Sequence, residues 1–263
     1  MRDFKQKISS IKNIRIIPRL DIKGSDVVKP IQTEALKIVG KPKELTRRYF
    51  DEGADEIIYL DIVASLYQRN IDFEQLKSVT DGIFIPVTVG GGIRTISDIN
   101  NALRAGADKV AINTHLVRHP EFISTAVKEF GAQCIVLFVE AKKRPNSTWE
   151  VYTDGGRERT GLDVIKWVNL GVNMGVGEVL ISSIDRDGTM RGFDFELIEK
   201  ITSSVPVPVI VHGGASDPAS IKDVIIRGKA DAIAISSIFH YQEYLISDVK
   251  KYLIEHEINV RII

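Results

Sequence analysis

The chain has 263 residues, 44% of them hydrophobic, which is enough for one large domain or two small ones with a sizeable core. Its 35 basic and 35 acidic side chains balance, so neither nucleic acid nor an anionic membrane surface is favoured as a partner. The one cysteine, Cys134, excludes a disulfide framework. The histidines lack metal-site spacing, and no apolar run approaches the roughly 20 residues of a membrane span. We expect a soluble cytoplasmic protein that uses no metal and no cofactor.

Apolar, strand-like runs alternate with amphipathic, helix-like segments along the whole chain. The strand-like runs cover residues 14–21, 56–61, 84–89, 109–112, 134–140, 178–182, 207–211 and 232–235. The helix-like segments lie near residues 42–52, 72–80, 96–104, 120–129, 162–173, 194–203, 217–227 and 245–256. Strands that are apolar throughout and alternate with helices indicate a parallel sheet covered by helices. Eight such units predict a single (β/α)₈ barrel domain over residues 1–263, with residues 1–13 as an N-terminal extension.

The sequence repeats at about half its length. Residues 87–113 and residues 209–236 share one plan: a strand, a glycine pair, a helix-like segment and a second strand. Such a repeat is the pattern of two fused half-barrels. A doubly wound open sheet is the alternative fold, but it would not require a second glycine site at the mirrored position.

The glycine pairs of the two copies predict phosphate sites. The pairs are Gly91 with Gly92, and Gly213 with Gly214. The second strand of each copy ends on short polar residues, which are Asn113, Thr114, Ser236 and Ser237. Glycines after a buried strand leave backbone N–H groups free to bind a phosphate, and short polar side chains can complete the cradle. For either pair alone, a tight turn between strand and helix is the alternative explanation. We call the site in the first copy cradle 1 and that in the second cradle 2.

Two carboxylates occupy matched places in the two halves of the chain. Asp21 ends the first strand and Glu140 ends the fifth, and a lysine follows each of them two residues later. Strands 1 and 5 of an eight-stranded barrel lie opposite each other, so both acids should face the same mouth. A pair of carboxylates around a substrate suits general acid–base chemistry. Unrelated charges at strand ends are the alternative, and the matched placement favours function.

Two connections, residues 23–41 and 143–161, are longer than the rest and should lie at the catalytic face of the barrel. Lys29, in the first of them, could be carried onto a phosphate by a lid, or it could simply face water. A polar loop after the sixth strand brings Asp187 and Gly188 to the same rim.

Four residues of alternating charge stand at the beginnings of strands 1, 2, 4 and 6. They are Arg15, Glu56, Lys109 and Glu178. Two arrangements fit this pattern: a salt-bridged ring at the bottom of the barrel, or a rim of separately solvated charges, which the pattern alone favours.

An ordered set of motifs resembles the cyclase subunit of imidazole glycerol phosphate synthase. The motifs are RIIPRLDIK, ADEIIYLDIVAS, IPVTVGGGIRT, AGADKVAIN, GGRERTGLD, SSIDRDGT and SSIFH, and the resemblance runs over residues 14–261. It implies a (β/α)₈ barrel in a heterodimer with a glutaminase subunit, whose ammonia enters at the barrel bottom. At the top, ammonia would react with a bisphosphorylated phosphoribulosyl aminoimidazole carboxamide ribonucleotide. The products would be imidazole glycerol phosphate, for histidine biosynthesis, and aminoimidazole carboxamide ribonucleotide.

The resemblance also implies roles for individual residues. It makes Asp21 and Glu140 the catalytic acids and Lys29 the lysine of the first loop. It places phosphate contacts on Gly92, Asn113, Thr114, Gly188, Gly214 and Ser237. It makes the four charged residues at the barrel bottom a gate for ammonia, and it places Asp108 and Gln133 beside the glutaminase.

The departures from the family pattern cluster around the predicted active site. Glu140 stands where the family has aspartate, and Arg19, Phe138 and His212 stand where small residues are usual. By strand parity, Arg19 and Phe138 point into the barrel from opposite strands and narrow the ammonia path. A buried charge needs a partner. We therefore expect Arg19 to pair with Asp21, Glu140 or both, and to lower the pKa of the carboxyl group that it contacts.

These departures leave two further functions open at the level of sequence. One is a paralogue that delivers glutaminase-derived ammonia to another acceptor, such as a sugar in surface polysaccharide biosynthesis. The other is a catalytically silent barrel that only activates its glutaminase.

Overall fold

The computed structural model describes residues 12–262, within which twelve strands occur. They are β1 (Arg15–Lys23), β2 (Asp26–Ile31), β3 (Glu34–Gly40), β4 (Ile57–Asp61), β5 (Val87–Gly90), β6 (Lys109–Ile112), β7 (Ile135–Arg144), β8 (Thr148–Thr153), β9 (Glu158–Asp163), β10 (Glu178–Ser183), β11 (Val209–His212) and β12 (Ala232–Ile235). Of the predicted N-terminal extension, residues 1–11 lie outside the described part of the chain, while Lys12 and Asn13 belong to no strand or helix.

Helices connect the strands. They are α1 (Pro42–Asp51), α2 (Phe73–Thr80), α3 (Ile96–Arg104), α4 (Thr114–Arg118), α5 (Phe122–Phe130), α6 (Val164–Asn173), α7 (Phe195–Thr202), α8 (Pro218–Ile226), α9 (Ser237–His240) and α10 (Ile246–Glu255), with a 3₁₀ turn at Ala132–Cys134. No helix within residues 12–262 has the length and apolar character that crossing a membrane requires.

Eight of the strands form a closed parallel barrel. Its strands, in order around the ring, are β1, β4, β5, β6, β7, β10, β11 and β12, and β12 pairs with β1 to close it. Each neighbouring pair follows chain order, with the connecting helices outside. The (β/α)₈ prediction is confirmed, and the doubly wound open sheet is excluded because the eight-stranded ring has no free edge.

The two long connections contain hairpins. In the first, β2 and β3 pair antiparallel with each other, and β2 pairs with the end of β1. In the second, β8 and β9 extend the end of β7 in the same way. The strand-like patch predicted at residues 149–153 lies in β8. The first hairpin was not predicted because its sequence lacks the usual alternation of apolar and polar residues. The adjacent residues Val27 and Val28 are both apolar and both buried.

The helices after the two glycine pairs begin in the same way. Thr95 caps α3 in a capping box with Asp98, and Asp217 caps α8 in a capping box with Ser220. Such caps satisfy backbone N–H groups that a helix start leaves without partners. The helix starts, and with them both glycine pairs, are therefore fixed at the carboxyl end of the barrel.

The barrel interior is a packed apolar core between two charged ends. Its central side chains are fully buried and come from most of the strands; they include Ile17, Ile58, Val136, Leu180, Ile210 and Ala232. Residues of the opposite parity pack outward against the helices. The carboxyl ends of the strands carry the predicted catalytic residues, and their beginnings carry the charged ring.

Candidate active site

Asp21 lies at the carboxyl end of β1, fully buried between two cations. Its Oδ1 accepts a hydrogen bond of 2.8 Å from Arg19 Nε. Its Oδ2 is 3.8 Å from Lys29 Nζ and has no hydrogen-bond partner among the described residues. One carboxylate oxygen is thus held in place by a hydrogen bond, while the other is buried beside Lys29 without one.

Glu140 lies on β7 near the point where that strand leaves the barrel, and β7 is four strands from β1 in either direction around the ring. It is therefore opposite Asp21 at the same mouth, and its Oε2 accepts a hydrogen bond of 2.9 Å from Asn113 Nδ2. Burial raises the pKa of Glu140 to about 7, although Arg19 and the Asn113 hydrogen bond favour the charged form. At neutral pH this group can either donate or accept a proton, which is the property a general acid–base group needs.

Arg19 has a buried carboxylate partner, as the sequence analysis predicted. It is buried and pairs with Asp21, as predicted. It makes no hydrogen bond to Glu140, and its charge does not lower the pKa of Glu140 below the ordinary value because burial has the larger effect. The remaining contacts of Arg19 Nη1 are to Ser182 Oγ at 3.3 Å and to His212 Nδ1 at 3.0 Å.

His212 is a buried, neutral imidazole in this network. Burial lowers its pKa well below the ordinary value, and the nearby charges of Arg19 and Lys29 lower it further. Because Arg19 can only donate, Nδ1 of His212 accepts and the ring proton is on Nε2. That nitrogen lies 3.4 Å from Ser236 Oγ and 3.7 Å from Asp187 Oδ1. His212 therefore links Arg19 to cradle 2.

Lys29 lies on β2 and is fully buried, so the alternative that it faces water is wrong. Its Nζ donates to Asp187 Oδ1 at 2.7 Å, an ion pair between the β2–β3 hairpin and the loop after β10. Gly188 in that loop has φ +71°, and a Cβ there would lie 2.4 Å from Pro30 O. The loop and the hairpin are thus closely packed, and both contribute to the mouth beside Asp21.

Cradle 1 lines a cleft that also contains Arg19, Phe138 and Glu140. Gly91 and Gly92 have φ values of +101° and +69°, and a Cβ on Gly92 would lie 2.3 Å from Arg69 O. Their positive φ and close packing require glycine there. Thr114 Oγ1 accepts a bond of 3.0 Å from Asp154 N, and Asn113 Nδ2 bonds Tyr152 O as well as Glu140. Asn113 therefore joins cradle 1 to a candidate catalytic group.

Cradle 2 lines a second, smaller cleft together with Lys29, Asp187, Gly188 and His212. Gly213 and Gly214 repeat the positive φ of cradle 1, at +101° and +104°. Ser236 Oγ donates to Arg19 O at 2.9 Å, and Ser237 follows it at the start of α9. The two cradles lie on opposite halves of the same mouth, as the repeat predicts.

The four charged residues at the beginnings of the strands form one closed ring. Arg15 donates to Glu56 and Glu178, and Lys109 donates to the same two carboxylates, with distances of 2.8 and 2.9 Å for three of the four ion pairs. Thr88 Oγ1 adds a hydrogen bond to Glu56. The structure thus contains the salt-bridged ring, and the rim of separately solvated charges that the pattern alone favoured is wrong.

Asp108 and Gln133 lie exposed at the same end of the barrel as the ring. Asp108 Oδ2 accepts a bond of 2.8 Å from Val87 N, and Asp231 Oδ2 accepts the same bond from Val209 N in the second half. The repeat gives Asp108 a structural role at the start of β6. Gln133 Nε2 donates to Phe130 O at 3.3 Å. Among residues 12–262 there is no group of three His, Cys, Asp or Glu side chains that could hold a metal ion.

Comparison with known proteins places this architecture in a family. Residues 15–245 match the family described as "Histidine biosynthesis protein". The chain is 50% identical over 204 residues to the imidazole glycerol phosphate synthase subunit HisF of Legionella pneumophila, which covers 78% of this chain and 96% of that protein. The chain belongs to the histidine biosynthesis protein family. The resemblance inferred from the sequence motifs is confirmed.

Two residues of the candidate active site were not predicted from the sequence. Ser182 bonds Arg19 and His212, and Tyr152 O bonds Asn113. Ser182 lies four residues after Glu178 on β10, so the alternation of side chains along this strand could have predicted that Ser182 points into the barrel. No sequence signal indicates Tyr152, because its backbone carbonyl reaches Asn113 only through the pairing of β8 with β7.

The Glu140 carboxyl group is expected to titrate near pH 7. A ¹³C NMR titration of labelled glutamate side chains should show one resonance with that midpoint, and the resonance should be missing from Glu140→Gln. Because the folded-state pKa lies above the ordinary value of 4.5, the neutral group stabilises the fold most at low pH. The stabilisation is lost as pH rises through about 7.

The same linkage predicts how stability depends on pH. The free energy of unfolding of the wild type, relative to Glu140→Gln, should fall by about 3 kcal/mol between pH 4 and pH 8. A difference that stays constant over this range would show that Glu140 has an ordinary pKa.

Both cradles are expected to bind anions. Crystals soaked in inorganic phosphate should show density at the N–H groups of Gly92 and Gly214, because both glycines have positive φ and line the clefts at the mouth. Isothermal titration should give two phosphates per chain. If both cradles stay empty at high phosphate concentration, the glycine pairs are only tight turns.

Proposed function

We propose that this chain is the cyclase subunit of an imidazole glycerol phosphate synthase. It uses ammonia from a separate glutaminase to convert the phosphoribulosyl aminoimidazole carboxamide ribonucleotide. The products are imidazole glycerol phosphate and aminoimidazole carboxamide ribonucleotide. The observation that carries the proposal is the mouth of the barrel, where two opposed carboxyl groups, Asp21 and Glu140, lie between two matched glycine cradles. A substrate with a phosphate at each end matches this arrangement, because each cradle can hold one end.

The carboxyl groups supply the proton transfers that the reaction needs. Adding ammonia to a carbonyl carbon and expelling an amine both require a group that removes a proton and a group that delivers one. Asp21, beside Arg19 and Lys29, has a free oxygen and suits the base. Glu140, whose pKa is about 7, can deliver a proton and take it back. Asn113 belongs to cradle 1 and donates a hydrogen bond to Glu140, so phosphate binding and the position of this acid are coupled.

The partner is proposed to dock at the opposite end of the barrel. Arg15, Glu56, Lys109 and Glu178 surround the axis there, and Asp108 and Gln133 lie exposed beside them. A ring of satisfied charges provides a polar entrance for ammonia, and the exposed polar rim provides a surface for the glutaminase.

The matched cradles favour this acceptor over the alternatives raised by the sequence. A sugar acceptor without two phosphates would leave one cradle without a role. A silent barrel would not require Asp21 to be held at 2.8 Å by Arg19 with its second oxygen unbonded. No contact within the described residues favours either alternative.

The test is turnover of the ribonucleotide with an ammonium salt as the only nitrogen source. The purified chain should release both products at equal rates, and the rate should rise with pH as more of the ammonium becomes free ammonia. Replacing the ribonucleotide with its dephosphorylated form should abolish turnover at the same concentration. The absence of product at any ammonia concentration would refute the cyclase assignment.

A further inference from the structure

Arg19 and Phe138 meet across the axis of the barrel. Arg19 Cζ lies 5.4 Å from the centre of the Phe138 ring. These side chains belong to β1 and β7, which are opposite each other in the ring of eight strands. A contact between inward side chains of opposite strands must cross the axis. The axis is therefore occupied at this level.

Hydrogen bonds to three strands hold the Arg19 half of this contact. Its guanidinium bonds Asp21 on β1, Ser182 on β10 and His212 on β11. Ser182 Oγ and His212 Nδ1 also lie 2.9 Å apart, so the two residues that bind the Arg19 guanidinium hold each other in position. Phe138 is half-buried and held by packing alone. Movement of Phe138 therefore disturbs fewer interactions than movement of Arg19.

The contact lies between the charged ring and the candidate catalytic groups. Arg19 follows Arg15 by four residues on β1, which is about 13 Å along the strand. Asp21 is two residues further on, and Phe138 is two residues before Glu140 on the opposite strand. Below the contact, the apolar core side chains described above surround the axis. A molecule moving along the axis from the ring must pass Arg19 and Phe138 before it reaches either carboxyl group.

We propose that the Arg19–Phe138 contact is a closed barrier on the ammonia route, and that movement of Phe138 opens it. This inference rests on the proposed function, since it concerns how partner-derived ammonia reaches the mouth. Ammonia added to the solution enters from the mouth and bypasses the barrier. The barrier therefore limits glutamine-dependent turnover and has no effect on ammonium-dependent turnover.

The test compares the two nitrogen sources in the complex with the glutaminase. The measured quantity is the ratio of glutamine-dependent to ammonium-dependent turnover, in which any effect on ribonucleotide binding cancels. For the wild type the ratio should lie below one. In Phe138→Ala it should rise by about 3- to 10-fold, the range that one cation–π contact can account for, and Phe138→Leu should give an intermediate value.

Phe195→Ala is the matched control, since it removes a phenylalanine ring at the start of α7, outside the barrel. Its ratio should equal that of the wild type. A wild-type ratio of one, or a ratio unchanged in both Phe138 variants, would overturn the proposal.

A second measurement tests whether the barrel axis is closed, and it does not depend on enzyme turnover. Crystals pressurised with xenon should show a xenon atom on the axis in Phe138→Ala, because removing the ring leaves a space against the apolar side chains of Leu60 and Leu180. Wild-type crystals should show none between Arg19 and position 138, and xenon there would refute closure. If ammonium supports no turnover at all, the proposed function fails, while the xenon result still decides whether the axis is closed.

Discussion

Asp21→Asn is expected to reduce ammonium-dependent turnover by about 10²- to 10⁴-fold, the range associated with loss of a general acid–base group. The amide cannot accept a proton at neutral pH, whereas the carboxylate has one oxygen unbonded at the mouth. The Asn oxygen can still accept from Arg19 Nε, so Arg19 keeps a partner and the fold should persist. The measurement is kcat at saturating ribonucleotide and ammonium.

Asp51→Asn is the control for this prediction, because Asp51 forms an exposed ion pair with Arg47 on α1, far from the mouth. It should leave kcat unchanged. If Asp21→Asn is folded and keeps kcat within about threefold of the wild type, Asp21 is not the base. A rise in KM with constant kcat would instead make Asp21 a binding residue.

Lys109→Glu is expected to uncouple glutamine hydrolysis from turnover of the ribonucleotide. Lys109 bridges Glu56 and Glu178, so the substitution brings three carboxylates together and leaves only Arg15 to neutralise them. Disrupting a largely buried ion pair in this way costs of the order of 3 kcal/mol, so the free energy of unfolding should fall measurably. Binding to the glutaminase should weaken, and glutamine should be hydrolysed without a matching yield of product.

Two further variants separate the effect of the reversed charge at position 109 from a general loss of stability. Lys109→Met keeps the apolar stem but removes the charge, and it should give a smaller loss of coupling. Lys166→Glu reverses an exposed charge on α6 and should behave as the wild type. If folded Lys109→Glu binds the glutaminase and couples normally, the ring is not the ammonia entrance.

The fold and the opposed carboxyl groups could be predicted because local patterns determine them. Residues 87–113 and 209–236 carry the same order of strand, glycine pair and helix, and this repeat fixes the eight-stranded closure. Asp21 and Glu140 could be placed at one mouth from strand number alone. The inward direction of Arg19 followed from parity with Asp21, and its pairing from the cost of burying a lone charge.

Other features depend on contacts between distant parts of the chain and could not be predicted. Lys29 is buried because the β2–β3 hairpin packs against the loop that carries Asp187, 158 residues away. Burial raises the pKa of Glu140 more than the charge of Arg19 lowers it. A sequence shows which residues are charged, but it does not show how deeply a side chain is buried. The role of His212 depends on Ser182, on the neighbouring strand β10, and on Ser236, which directly follows the neighbouring strand β12.

The most direct measurement of the central claim is the fate of nitrogen from ¹⁵N-labelled ammonium. We expect imidazole glycerol phosphate to carry a single heavy nitrogen and the released aminoimidazole carboxamide ribonucleotide to carry none, as read by mass spectrometry. This outcome requires that ammonia is built into the ring at the mouth containing Asp21 and Glu140. Unlabelled products, or a labelled ribonucleotide that is neither cyclised nor cleaved, would contradict the assignment of this chain as the cyclase.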